Sequence, residues 1–413
     1  MKNNIYQIIF AEIVLCFLLV GCKTTPSVDD SGATTDGVSS VISANNQFAL
    51  ELYSKYKSNE GNIFFSPYSI STAVAMTYEG ARGKTADEMQ SVFHFPKNAS
   101  VRQPAFASIY NELNKGSSNY TLKTANALWA EKDYAFLQDY FTTVEKYYGG
   151  KVTNLDFKND AENSRVTINK WVEDQTNDKI QNLIPEGVIG PDTRLVLTNA
   201  IYFKGDWVKQ FDKQNTYEQD FRTTASNSVK VQMMHVSGEK FQYAEKENTQ
   251  ILEMPYSGDE LSMLILLPKL GGMQALENSL TPQKLESWKS GLKEQRIAGL
   301  WLPKFKLETE YSMADDLAKM GMPTAFSANA DFFGMTGNTD LYIGAVIHKA
   351  YVDVNEEGTE AAAATGVAMF ATESARASEP EIYFEADHPF IFIIQETKTG
   401  NILFLGRVTD PTQ

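Results

Sequence analysis

Apolar residues recur at helical spacing over residues 46–56, where Phe48, Leu50, Leu52 and Tyr53 stand among polar neighbours, and this predicts an amphipathic helix. Residues 69–79, with Ile70, Ala73, Val74 and Met76, read as a buried helix. Residues 161–174 read as a further amphipathic one carrying Val166, Ile168, Trp171 and Val172. Later the pattern changes. Residues 194–203 (RLVLTNAIYF) and 261–267 (LSMLILL) are nearly continuous apolar runs, as expected of central strands covered on both faces. Residues 382–384, 390–394 and 402–405 predict more strands, the last two separated by a Thr399-Gly400-Asn401 turn. Helices early and strands late, with no internal repeat, predict a single mixed α+β domain.

The N-terminal segment stands outside that domain. Lys2 precedes a mostly apolar run over residues 5–20, too short and too close to the terminus for a spanning helix. Its end, Leu19-Val20-Gly21-Cys22, is similar to the bacterial lipobox, whose cysteine is acylated and becomes the mature N-terminus. Glu12 departs from that pattern, because a charge weakens membrane insertion. An ordinary signal peptide cut nearby is the other reading. The expected division is residues 1–21 as signal peptide, 22–40 as lipidated Cys22 and flexible tether, and 41–413 as the folded domain. The tether is rich in Thr, Ser, Gly, Asp and Pro and cannot bury apolar area. Cys16 and Cys22 are the two cysteines. Loss of Cys16 with the signal leaves no thiol pair for a disulfide or a zinc-type cluster. The expected location is the bacterial cell envelope, lipid-anchored, at the outer membrane or cell surface, since Lys23 after Cys22 permits outer-membrane sorting.

Composition narrows the chemistry. A net charge of −15 argues against nucleic acid and against electrostatic adhesion to anionic lipid, so the lipid is the expected membrane contact. Gly83-Lys84-Thr85 suggests a phosphate loop, but the glycine that such a loop needs five residues earlier is Tyr78. No HExxH, CxxC, GxGxxG or GxSxG pattern occurs, and His94, His235, His348 and His388 are far apart. A Ser-His-Asp site is compatible with any spacing, yet nothing marks an activated nucleophile. No catalytic residue, metal or cofactor is expected.

The informative segment is Asn355-Glu356-Glu357-Gly358-Thr359-Glu360, then Ala361, Ala362, Ala363 and Ala364, then Thr365-Gly366. Taken alone it suggests a helix capped by Thr359. The rival is a loop able to slide into a sheet, with Thr359, Ala361, Ala363 and Thr365 facing the core at a period of two. Small side chains there enter a packed interior without overpacking it. Propensity does not choose between the two.

The remaining motifs do. Residues 62–67 (NIFFSP), 80–85 (GARGKT), 198–207 (TNAIYFKGDW), 302–305 (LPKF), 348–350 (HKA), 386–390 (ADHPF) and 404–407 (FLGR) together resemble the serpin family, in family order, from about residue 41 to 411. The resemblance implies helices packed around a large mixed central sheet, with further sheets and an exposed reactive loop. It also implies a monomeric inhibitor that serves once. A serine endopeptidase, elastase-, chymotrypsin- or subtilisin-like, or a papain-like cysteine enzyme, attacks the loop and is trapped as an acyl-enzyme when the cleaved loop inserts. By the same resemblance, Glu356 and Lys304 form an ion pair where insertion begins and Trp207 is the aromatic at that opening. Ser66, Ser69, Asn199 and His348 form the polar cluster beneath the sheet. Counting seventeen residues from Glu356 puts the scissile bond between Thr372 and Glu373, with Met369, Phe370 and Arg376 as alternatives. A non-inhibitory member, acting as carrier or interaction protein, is the second reading. Such members tend to carry bulky or charged hinge residues or proline, and Glu360 is the one such residue here.

Overall fold

The computed structural model describes residues 27–359, apart from 116 and 118, and residues 381–413. Helix α1 spans Thr35–Tyr56, capped by the Thr34 hydroxyl on the N–H of Gly37. The boundary expected after residue 40 therefore falls inside a helix. Packing overrides the poor helix formers Gly37, Ser39 and Ser40: Gly37 lies against Val101, and Val41 and Ile42 are buried. Upstream, the backbone of Val28 bonds both ways with the Asn111 side chain, and Asp29 pairs with Lys146. The tether expectation is thus corrected: chain packed against the domain reaches back to about Val28.

Strand β1 (Ile63–Phe65) leads into α2 (Pro67–Tyr78), which is buried almost throughout because it runs between two sheets. Ser66 caps it and Pro67 occupies its first turn. Then come α3 (Gly83–Phe93), α4 (Ala99–Asn114), β2 (Tyr120–Glu131), α5 (Gln138–Tyr148), β3 (Lys151–Leu155), α6 (Phe157–Gln175) and β4 (Leu195–Asp206). The helices predicted at 69–79 and 161–174 are α2 and α6, each longer than its periodic stretch. Strand β2 went unpredicted, because LKTANALWA mixes good helix formers with strand formers. At the turn between α2 and α3 the Glu79 carboxylate takes hydrogen bonds from Arg102, Gln103 and Tyr148, tying α4 and α5 together in a buried pair.

From residue 217 strands dominate: β5 (Tyr217–Arg222), β6 (Ser228–Val236), β7 (Lys240–Lys246), β8 (Thr249–Pro255), β9 (Leu261–Pro268), β10 (Lys293–Pro303), β11 (Phe305–Ser312), β12 (Ala345–Val354), β13 (Gly358–Thr359), β14 (Ile382–Glu385), β15 (Phe390–Glu396) and β16 (Ile402–Val408). The first sheet runs β11-β12-β13-β4-β2-β3 and is mixed. The second runs β1-β16-β15-β9-β8-β7-β10-β6-β5, with β14 parallel to β10. The main core lies between the sheets, where Phe64 stacks on Phe392 and Phe404 and Phe203 closes on Phe404. A smaller core lies on the other side of the first sheet, under α6, with Trp129, Ile168, Val172, Tyr202 and Tyr351. The first sheet is therefore apolar on both faces, as its near-continuous apolar strands require.

Candidate functional site

The site is a gap in the first sheet. Strands β12 and β4 pair directly and in parallel from Ala345↔Val196 to Tyr351↔Tyr202. Beyond that rung they part, β12 staying with β11 and β4 with β2. The wedge between them is β13. Thr359 pairs with Val354 on one side and Gly205 on the other, and Gly358 pairs with Asp206. Residues 355–358 make the tight turn, with Asn355 N–H on the Gly358 carbonyl at 2.8 Å.

Each residue of the wedge has a reason to be what it is. A Cβ on Gly358 would lie 2.1 Å from the Gly205 oxygen and 2.6 Å from Asp206 Cα, so no side chain fits. Thr359 is fully buried, its hydroxyl 2.8 Å from that of Tyr256, and Trp207 stacks on Tyr256 at 4.4 Å. Trp207 holds the turn through two donors, its N–H on the Glu357 carbonyl and its indole N–H on that of Asn355. The Lys304 ammonium lies 2.8 and 3.1 Å from the two Glu356 oxygens, and Thr216 donates to the same carboxylate. Burial pushes the Glu356 carboxyl up, but bonds from Lys304, its own backbone and Thr216 outweigh it and hold the group below the usual carboxylate range. Glu357 faces Lys213 at 2.5 Å.

Lower in the sheet a second cluster joins α2 to the strands. His348 Nε2 accepts the Ser66 N–H at 3.0 Å, so Nδ1 carries the proton and donates to Asn199 Oδ1. The Asn199 amide donates to Ser69 Oγ and Asn126 Oδ1, Ser69 donates to Asn126, and Ser66 donates to the Leu403 carbonyl. Burial, against a smaller opposing backbone contribution, lowers the His348 imidazole to about 3, so the ring is neutral. None of these groups is poised as a nucleophile or base. The arrangement ties α2 to β2, β4 and β12 across the β12–β4 boundary.

The structure thus gathers the residues predicted from sequence at two places, Glu356, Glu357, Gly358, Thr359, Lys304 and Trp207 at the wedge and Ser66, Ser69, Asn199 and His348 below it. Thr359 itself is extended and paired between β12 and β4, and the helix that it would cap falls outside the described residues. Glu360, Ala361 to Ala364, Thr365 and the reactive-bond candidates Met369, Phe370, Thr372, Glu373 and Arg376 lie outside the described residues, as do Cys22 and the signal segment. Sequence reading missed Tyr256, Thr216, Lys213 and Asn126. A signal existed for Asn126 alone, as the polar residue of the run Ala125-Asn126-Ala127-Leu128-Trp129.

A family model described as serpin (serine protease inhibitor) matches residues 43–411. The chain belongs to the serpin family. This serpin is 41% identical to a serpin-like protein of Methanosarcina acetivorans over 96% of each chain. It is 43% identical to the human leukocyte elastase inhibitor, over 89% of this chain and 99% of the relative. The crystal structure of Serpin48, a highly specific serpin of the insect Tenebrio molitor, superposes with a TM-score of 0.81 at 33% identity, covering 90% of this chain and 98% of the other. The serpin fold expected from the sequence is the one observed.

Proposed function

We propose that this serpin is a single-use inhibitor of serine endopeptidases, with elastase-like enzymes first among its targets. The observation that carries the reading is the wedge. Gly358 and Thr359 already occupy the top of a gap whose lower part is closed by direct β12–β4 pairing, and the four alanines follow in sequence. A protease that cleaves beyond the hinge frees this end of the segment to extend downward between the two strands. Each added residue exchanges the β12–β4 pairing for pairing on both sides, a net gain of backbone hydrogen bonds and buried area. The acyl-enzyme travels with the segment and is trapped if insertion outruns hydrolysis. Similarity to a leukocyte elastase inhibitor supports the target class, and a small residue at Thr372 suits an elastase-like pocket. The reading extends to attachment of the domain at the bacterial envelope through lipid on Cys22, for which Leu19-Val20-Gly21-Cys22 is the support.

The test is incubation of the purified domain with elastase-, chymotrypsin-, subtilisin-, trypsin- and papain-like enzymes, followed by denaturing gels and mass spectrometry. A covalent adduct that survives denaturant, with the released C-terminal peptide beginning at Glu373, is expected. Clean cleavage without adduct across the panel defeats the inhibitor reading. For the anchor, labelled palmitate is expected on the full chain and lost in Cys22→Ala.

A further inference from the structure

The chain enters the domain as a strap laid over α4. Gly37 lies against Val101 and Gly32 against Pro104, while Val28 exchanges two hydrogen bonds of 2.9 Å with the Asn111 side chain. Residues 28–37 thus run antiparallel to α4, back from Asn111 to Val101, a helix length of about 15 Å. Helix α5 clamps the far end as well. The Asp29 N–H donates to the Lys146 carbonyl at 2.8 Å, and its carboxylate lies 3.1 Å from the Lys146 ammonium. Val28 is the sixth residue after Cys22, and six residues reach at most about 20 Å. On the anchor reading, lipid at Cys22 therefore holds the bilayer within that distance of the point where Val28 meets α4 and α5.

The surface beside the strap suits that neighbour. Helices α1 and α4 pack side by side, and residues 37–50 (GVSSVISANNQFAL) and 98–111 (NASVRQPAFASIYN) form most of their joint outer face. In a chain with 22% charged residues, these two stretches hold a single charge, Arg102, and it is buried against Glu79. Ser39, Ser40, Ser43 and Ser100 are exposed there, and the strap adds the exposed carboxylates of Asp30 and Asp36. Hydroxyls with two carboxylates match headgroups that present a phosphate acceptor and an ammonium donor together. The scarcity of other charge spares the face the repulsion that a net −15 brings near a phosphate-rich surface. Covering it also leaves the hinge open, because α2 stands between α1 and strands β2 and β4 of the first sheet. We infer that the strap, α1 and α4 form the face that lies on the bilayer, with zwitterionic phospholipid headgroups as its partner. The inference rests on the lipid-anchor reading.

With Cys16 lost in the signal and Cys22 acylated, the chain keeps no other thiol, so single introduced cysteines report position. The acylated protein carrying Ser43→Cys, Ser100→Cys or Ser226→Cys is labelled with a fluorophore. Each is placed in vesicles of phosphatidylethanolamine and phosphatidylcholine that contain some lipid with a nitroxide on its headgroup. Ser226 lies between β5 and β6, at the opposite end of the second sheet from β16, on which α1 packs, and serves as the distant site. Most of the emission should be lost at Ser43 and Ser100 and little at Ser226. Vesicles of phosphatidylglycerol at low salt should quench the first two sites less, because Asp30 and Asp36 then meet like charge. Equal quenching at all three sites, quenching greatest at Ser226, or none at any overturns the face and leaves the anchor standing. Stronger quenching on phosphatidylglycerol overturns the choice of zwitterionic headgroups. Full-length protein that carries no acyl group on Cys22 by mass spectrometry defeats the anchor reading and this face with it.

Discussion

Replacing Gly358 by alanine puts the largest strain on the smallest change. The added methyl would sit 2.1 Å from the Gly205 oxygen and 2.9 Å from its carbonyl carbon, where ordinary contact begins near 3.4 Å. Relief needs a shift of more than an ångström, and the obstacle is backbone of β4, held by the β2 ladder. The hinge yields before the sheet does. Its hold consists of the Thr359–Tyr256 hydrogen bond, worth about 1 kcal/mol, the buried Thr359 methyl, worth about 0.8 kcal/mol, and the backbone pairing around them. On the order of 3 kcal/mol in all, this keeps a wild-type hinge out of the sheet less than about 1% of the time. In Gly358→Ala the balance reverses. Two assays read it. Trp207, 2% exposed and stacked on Tyr256, should shift its emission to the red against a Trp207→Phe blank. A glutamate-specific protease should cut rapidly after Glu356 and Glu357, which are buried in wild type. Thr359→Ala, which removes the hydroxyl and one methyl, should show a much smaller effect. Unchanged emission together with unchanged cleavage in Gly358→Ala would refute the account of the wedge.

On the inhibitor reading, Thr359→Arg is expected to leave a substrate in place of an inhibitor. A buried unpaired guanidinium that adds about 3 kcal/mol to the insertion barrier slows it roughly a hundredfold, and titration against protease should show cleavage in place of adduct. Lys304→Ala strips the nearly buried Glu356 of its cation and should loosen the hinge by about 2 kcal/mol, seen as faster glutamate-specific cutting. In wild type the lowered Glu356 value means the hinge contact is complete above the ordinary carboxylate range and weakens as pH falls through it, so the same cleavage should accelerate in acid. His348 is lowered from 6.5 to about 3, so the unfolded chain takes its proton first. Stability should hold above pH 6.5 and fall between 6.5 and 3 by up to about 5 kcal/mol, an acid loss that His348→Gln should reduce in unfolding-rate measurements.

The elements that the sequence makes legible are those decided by local periodicity. Helices α2 and α6 and strands β4, β9, β15 and β16 follow from apolar spacing, because each buries a face whose pattern matches its own geometry. The start of α1 was not legible, since TDGVSS lacks helix formers and is held by α4, far along the chain. Strand β2 was hidden by its alanines, which form strand here because β4 and β3 flank it. At the site, Glu356, Lys304, Ser66 and His348 came from the order of motifs, whereas Tyr256 and Thr216 carry no local mark. Their significance lies wholly in which hydroxyl reaches Thr359 or Glu356, a matter of tertiary register. The side of β13 that Thr359 faces followed from the period-two reading, but its presence in a strand needed Gly205 and Val354 as partners.

Parallel pairing of β12 with β4, wedged at one end alone, gives any separation of these strands a direction. Tyr351 and Tyr202 part first, with ring centres 6.4 Å apart, and Ala345 and Val196 last. Midway stands the rung of His348 and Asn199, where side chains as well as backbone must let go. On the proposed mechanism, a segment arriving from the hinge would meet an easy stretch, a latch, and then an easy stretch again. Peptides that copy only the first few residues of the segment should halt above the latch, and those long enough to displace it should run to the end. Between those two lengths the molecule should pass from a transient visitor in its sheet to a permanent one.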